Sequence, residues 1–222
     1  MIFDMDGTMV DNRAWHEMAW IEMGSRYGLP ITTEFYQQKL HSRSNGEIIC
    51  ELFGAQADAG FIGRVTEEKE AVYRELYKPH VREIAGLREL LIELQDAGVP
   101  CAVVSNSPRS NVDFILEALD LNGFFRCTVA ADEVTKGKPD PELIITAIQR
   151  MGLFPECCVV LEDSVSGFRA AEAAGSPYVI VSAGADEGPV ETFRTRAERV
   201  VGDFTELNFQ TLEKITRGKG CE

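Results

Sequence analysis

The sequence predicts an α/β fold, a doubly wound parallel sheet with an inserted α-helical domain. Three observations carry that reading. From about Pro100 onward, short continuous apolar runs alternate with segments of helical period. Residues 13–79 break the alternation, showing helical period and no clear strand. Polar and acidic residues stand directly after the apolar runs, beyond the strand ends where open parallel sheets bind ligands.

The elements follow in order. "MIFDMDGTMVDN" (Met1–Asn12) gives a first strand that runs at once into Asp4, Asp6 and Asp11. "AWHEMAWIEMGSRYG" (Ala14–Gly28) and "TEEKEAVYRELYK" (Thr66–Lys78) are the helices of the insertion. "PCAVVSNS" (Pro100–Ser107) is a buried strand ending in a polar loop. "NVDFILEALDL" (Asn111–Leu121) then sets Val112, Ile115, Leu116 and Leu119 on one helical stripe. "CTVAA" (Cys127–Ala131) is a strand, and "PELIITAIQRMG" (Pro141–Gly152) is a helix with Pro at its start and Gly at its end. "CCVVLED" (Cys157–Asp163) is a strand running into carboxylates. "SVSGFRAAEAAG" (Ser164–Gly175) is a helix with a Ser cap, and "YVIVSAG" (Tyr178–Gly184) is a further strand. The expected domains are a core of residues 1–12 and 80–222 and a helical cap of residues 13–79. "RGKGCE" (Arg217–Glu222) reads as a frayed end.

Composition narrows the function. At 222 residues with 45% hydrophobic content, the chain has material for a large core. A net charge of −14 disfavours nucleic acid and anionic membranes as partners. No run approaches the roughly 20 apolar residues of a membrane span. The six cysteines form no CxxC pair, which favours reduced thiols and a cytoplasmic location. A monomer is expected.

Four separated segments place their polar residues past strand ends: Asp4 and Asp6, Ser105 to Ser107, Lys138, and Glu162 with Asp163. Asp4 and Asp6 are two apart, so extended backbone would point both to one side. Carboxylates that close repel unless a cation intervenes. An acidic set without His or Cys suits a hard cation, Mg²⁺. Lys138 and the "SNS" donors add the opposite sign, a combination that would clamp a phosphoryl group. A carboxylate can also attack phosphorus to give an aspartyl-phosphate.

"DMDGT" (Asp4–Thr8), Ser105, "GKPDP" (Gly137–Pro141) and "LEDSVSGFRAA" (Leu161–Ala171) occur in an order that resembles the haloacid dehalogenase superfamily of phosphotransferases, over nearly the whole chain. The resemblance implies that superfamily's Rossmann-like core. It implies Asp4 as nucleophile and Asp6 as general acid/base, with the Asp6 backbone carbonyl a metal ligand. Ser105 and Lys138 match the phosphate holders, and Asn106 lends a backbone amide. Asp163 matches the Mg²⁺ ligand and Glu162 a direct or water-mediated partner. The superfamily's true dehalogenases lack the second Asp, so Asp6 argues against that activity. The insertion looks like the cap of the β-phosphoglucomutase-like group, with His16, Trp20 and Lys69 at matching places. Where the mutase has an arginine for the distal phosphate, this chain has Asn45, with Arg43 two residues before it.

The resemblance thus implies a Mg²⁺-dependent phosphatase of a small phosphorylated metabolite, a sugar or polyol phosphate. A phosphosugar mutase is the alternative; phosphonate or pyrophosphate hydrolysis stays open. A non-catalytic binding protein is the reading from another class, and no motif supports it. Only three residues precede Asp4, fewer than the family places there, so the natural chain is expected to begin earlier. Plain structural readings compete at several positions: a turn for Asp-Gly, a cap or turn for Ser107, a packed ring for His16 and a solvated helix face for Lys69.

Overall fold

The computed structural model describes residues 1–41, 43–182 and 192–216. They form two compact units, Met1–Asp11 with Arg82–Glu222, and Asn12–Val81.

The first unit is built on six parallel strands: β1 (Ile2–Asp4), β2 (Ala102–Val104), β3 (Cys127–Val129), β4 (Val160–Glu162), β5 (Tyr178–Val181) and β6 (Arg199–Val201). Their order in the sheet is β3-β2-β1-β4-β5-β6. The chain's first strand therefore lies at the centre, where the order reverses. Asp4 pairs with Val104, and Phe3 pairs with both Val103 and Leu161. Ile2 and Phe3 are fully buried, each contributing ~1.5–3 kcal/mol by leaving water. In this register the carboxyl ends of β1, β2 and β4 lie side by side, bringing Asp4, Ser105 and Glu162–Asp163 to one edge.

Helices α6 (Arg109–Ala118), α7 (Glu142–Met151) and α8 (Val165–Ala174) alternate with the strands. Leu143, Ile144, Ala147, Ile148 and Met151 of α7 join Phe168, Ala170 and Ala171 of α8 in a core cluster with Ile2, Val104 and Val160. The Ser164 side chain caps α8 by accepting from the Gly167 amide. Helix α5 (Leu87–Asp96), strand β6 and the last helix, Phe209–Thr216, were not expected from the sequence. The expected strand Tyr178–Gly184 ends at Val181; its last two residues, and "RGKGCE", lie outside the described residues.

The second unit is helical. Helix α1 (Arg13–Tyr27) packs along α4 (Ala59–Tyr77), with one-turn α2 (Thr33–Phe35) and α3 (Asn45–Phe53) beside them. Trp20 and Met23 of α1 and Val65, Val72, Tyr73 and Tyr77 of α4 are buried. Helix α4 begins seven residues before the expected Thr66, because Asp58 caps it by accepting from the Phe61 amide.

Cys50, Cys101, Cys127 and Cys158 are free thiols. Cys157 is disulfide-bonded, which corrects the expectation of wholly reduced thiols at that position. No described helix is long and apolar enough to cross a membrane.

Candidate active site

Strand β1 ends at Asp4, and the chain turns just beyond it. The Met5 carbonyl accepts from the amides of Met9 and Val10 at 2.9 and 3.2 Å, and Gly7 stands at φ +87°. A side chain at Gly7 would be strained and would also overlap the Asp163 carboxylate. The turn falls at Gly7, after Asp6, which still bridges to Val10; the two aspartates take different partners. The Lys138 ammonium donates to Asp4 Oδ1 at 2.5 Å. Asp6 Oδ2 instead accepts from the hydroxyls of Ser105 at 2.9 Å and Ser107 at 2.8 Å.

Lys138 is the electrostatic centre of the crevice. It is 7% exposed, and its Nζ also donates to Glu162 Oε1 at 3.1 Å and to the Val104 carbonyl at 3.3 Å. Asn106 sets the Lys138 loop: its Oδ1 accepts from the Lys138 amide at 2.8 Å, and its Nδ2 donates to the Lys138 carbonyl at 3.1 Å. A side chain at Gly137 would overlap the Asn106 Oδ1, so glycine admits the contact.

Glu162 is almost fully engaged. Its Oε2 accepts from the amides of Asp163 at 2.6 Å and Ser164 at 3.2 Å; its Oε1 accepts from the Ser164 hydroxyl at 3.1 Å as well as from Lys138. Gly167 of α8 leaves room for the carboxylate, which any β-carbon there would overlap. The Thr8 hydroxyl lies 3.4 Å from Asp163 Oδ1.

Burial is opposed here by one cation among three carboxylates. Although burial works against its charge, Asp4 and Glu162 hold the Lys138 pKa above the ordinary lysine value. Burial, then the Glu162 charge, push the Asp4 carboxyl up to about 7, against the pull of Lys138 and with a further push from Asp6. Asp4, Glu162 and Asp163, all buried, each offer an oxygen, and these oxygens lie within 4.8 Å of one another. An all-oxygen set with surplus negative charge fits a hard divalent cation such as Mg²⁺.

The sequence-derived core residues thus converge in one unit. Ser107, read from sequence as a cap or turn, does something else: its hydroxyl goes to Asp6. The only hint was its place two residues after Ser105, which puts both hydroxyls on one turn.

In the helical unit, Lys69 Nζ lies 2.7 Å from His16 Nδ1 and donates to Glu70 Oε1 at 2.9 Å. Asn45 Nδ2 donates to the same Glu70 oxygen at 2.6 Å. The His16 ring stacks on Tyr73 at 3.9 Å, and Lys69 lies 5.8 Å from the Trp20 ring centre. Lys69 and Glu70 are each 2% exposed, so the solvated-face reading of "EEKE" does not hold there. Three of the four candidate cap residues come together. Arg43 does not join them: its guanidinium pairs with Glu51 and donates to the Lys39 carbonyl at 3.0 Å. Glu70, the carboxylate that joins the others, was missed because nothing in a run of charges marks the buried one.

Comparison with known proteins adds the lineage. A family model described as haloacid dehalogenase-like hydrolase matches residues 1–181. A phosphorylated carbohydrates phosphatase of Thermotoga maritima is 34% identical over 178 residues, covering 79% of this chain and 81% of that one. Fructose-1-phosphate phosphatase YqaB of Escherichia coli K12 is 34% identical over 188 residues, covering 82% and 95%. The solved β-phosphoglucomutase of Clostridium difficile shares the fold at 24% identity, with a TM-score of 0.79 over 97% of this chain and 95% of that one. The chain is a phosphoric monoester hydrolase. It belongs to the haloacid dehalogenase-like hydrolase family.

Proposed function

We propose that this enzyme is a Mg²⁺-dependent phosphatase that hydrolyses a sugar or polyol monophosphate through an aspartyl-phosphate. The observation that carries the reading is the buried Lys138 ammonium between Asp4 and Glu162, with the Ser105 hydroxyl at the adjoining strand end. Relatives named for phosphorylated carbohydrates and fructose 1-phosphate support the substrate class.

In this mechanism Lys138 and the Ser105 hydroxyl hold phosphate oxygens. An Asp4 oxygen forms a bond to phosphorus as the bond from phosphorus to the leaving oxygen breaks, and Asp6 passes its proton to that oxygen. Water then attacks the phosphorus of the aspartyl-phosphate and gives a proton back to Asp6. Inorganic phosphate leaves and Asp4 returns as a carboxylate. Asp4, Asp163, the Asp6 backbone carbonyl and Glu162, directly or through water, would hold Mg²⁺, which offsets phosphate charge when bound. The helical unit is read as the cap that selects the leaving group, with His16, Lys69 and Asn45 as candidate contacts. Engagement of Arg43 by Glu51 supports hydrolysis over transfer between two phosphate positions.

A phosphate-release screen over sugar phosphates, polyol phosphates, nucleotides and pyrophosphate tests the reading. Release from a sugar or polyol phosphate, dependent on Mg²⁺ and lost in Asp4→Asn, is the expected result. No release from any of them, with β-glucose 1-phosphate converted to glucose 6-phosphate in the presence of a bisphosphate primer, would replace it with the mutase reaction. The cytoplasmic and monomeric expectations belong to the same reading and are checked by fractionation and light scattering.

A further inference from the structure

We propose that Ser107 is the positioning residue of the general acid/base Asp6, holding one carboxylate oxygen and so fixing the orientation of the group. The inference rests on the phosphatase reading above.

Three observations within the core unit carry it. First, Asp6 Oδ2 accepts from two hydroxyls at once, Ser105 at 2.9 Å and Ser107 at 2.8 Å. Two donors on one oxygen fix the rotamer and plane of the carboxylate. Second, Ser107 is itself fixed. Its amide donates to Ser105 Oγ at 2.9 Å, and its carbonyl accepts from the Ala131 amide, just past β3, at 3.0 Å. Third, the ordinary use of a serine here is missing among the described residues. Helix α6 begins after Pro108 with no side-chain cap, so the Ser107 hydroxyl does not serve the helix.

The two serines differ in what else is asked of them. The Ser105 hydroxyl has a competing task, because the phosphatase mechanism calls on it for a phosphate oxygen. Ser107 has no second task in that mechanism. When substrate draws Ser105 away, Ser107 is the hydroxyl that remains on Asp6. It keeps the Asp6 carboxyl turned to the leaving oxygen during alcohol release and toward water during hydrolysis of the aspartyl-phosphate. Ser107 thus acts through Asp6 and touches no reacting atom.

The test compares two leaving groups. An alkyl phosphate expels an alkoxide that needs the Asp6 proton, whereas p-nitrophenyl phosphate expels a phenolate that does not. The parameter is kcat/KM, which reports steps through alcohol release. In Ser107→Ala, kcat/KM for the best hexose or hexitol phosphate of the wild-type screen should fall about tenfold, the value of one charge-assisted hydrogen bond. For p-nitrophenyl phosphate it should stay within about twofold, and Ser107→Thr should restore the alkyl reaction. An equal fall for both substrates would mark Ser107 as merely structural and overturn the proposal, as would no fall for either. Should Ser107→Ala not fold, Ser107→Cys, near-isosteric with a weaker donor, carries the same expectation. A wild-type enzyme that releases phosphate from nothing would sink the phosphatase reading and this one together. Unequal leaving-group behaviour cannot arise in that case.

Discussion

At the scale of single residues, charge decides behaviour. Asp4 is held near 7, chiefly by burial and the Glu162 charge, against 3.8 in an unperturbed chain. Between those values the folded, cation-free protein binds more protons than the unfolded chain, so this group's contribution is present at low pH and lost as pH rises through 7. In EDTA, denaturation midpoints from pH 4 to 8 should show a downward component that Asp4→Asn removes. Lys138 gives a second expectation. Replacing it with Met keeps the stem but strips from buried Asp4 and Glu162 the ammonium that pairs with both. A loss of about 3–5 kcal/mol in chemical denaturation is expected, with phosphate release abolished. Gly167 gives a third: Gly167→Ala must displace the Glu162 carboxylate and should lower both the melting temperature and kcat.

At the scale of elements, sequence legibility followed the strength of local signals. The four buried strands that carry or flank the site were readable because each is a continuous apolar run bounded by turn residues, from Phe3 to Val181. Strand β6 is an edge strand opening on exposed Arg199 and half-buried Val200, and its "RVV" is too short to announce itself. Helix α5 has an amphipathic pattern in Leu87, Leu90, Leu91 and Leu94 but starts after Gly86 at φ +81° without a side-chain cap, so no local signal marks its start. The core motifs were legible because their residue types fit only a few chemistries. Ser107 and Glu70 were not, because their roles depend on partners far away in the chain, and a polar residue looks alike whether it faces water or a carboxylate. Helix α3 offers a test of local reasoning. Ser44 and Glu47 form a reciprocal capping box at its start, and Ser44→Ala should cost about 1 kcal/mol in denaturant unfolding.

At the scale of the whole molecule, surplus acidity is the governing quantity. Asp4, Glu162 and Asp163 cluster inside a chain of net charge −14, and the Lys138 ammonium pairs with the first two. Divalent cation should therefore raise thermal stability as well as support turnover. Mg²⁺ at a hundredfold its dissociation constant should add about 2.7 kcal/mol, seen as a rise in melting temperature that EDTA reverses and Asp163→Asn abolishes. Strand order carries one further consequence. The middle strand of the sheet, β1, comes before the other five in chain order, yet its neighbours on either side are residues 102–104 and 160–162. A ribosome must thus deliver most of the polypeptide before Ile2 and Phe3 can be sealed between β2 and β4. Until then β1 waits as an unpaired apolar segment, a natural client for chaperones that guard emerging chains.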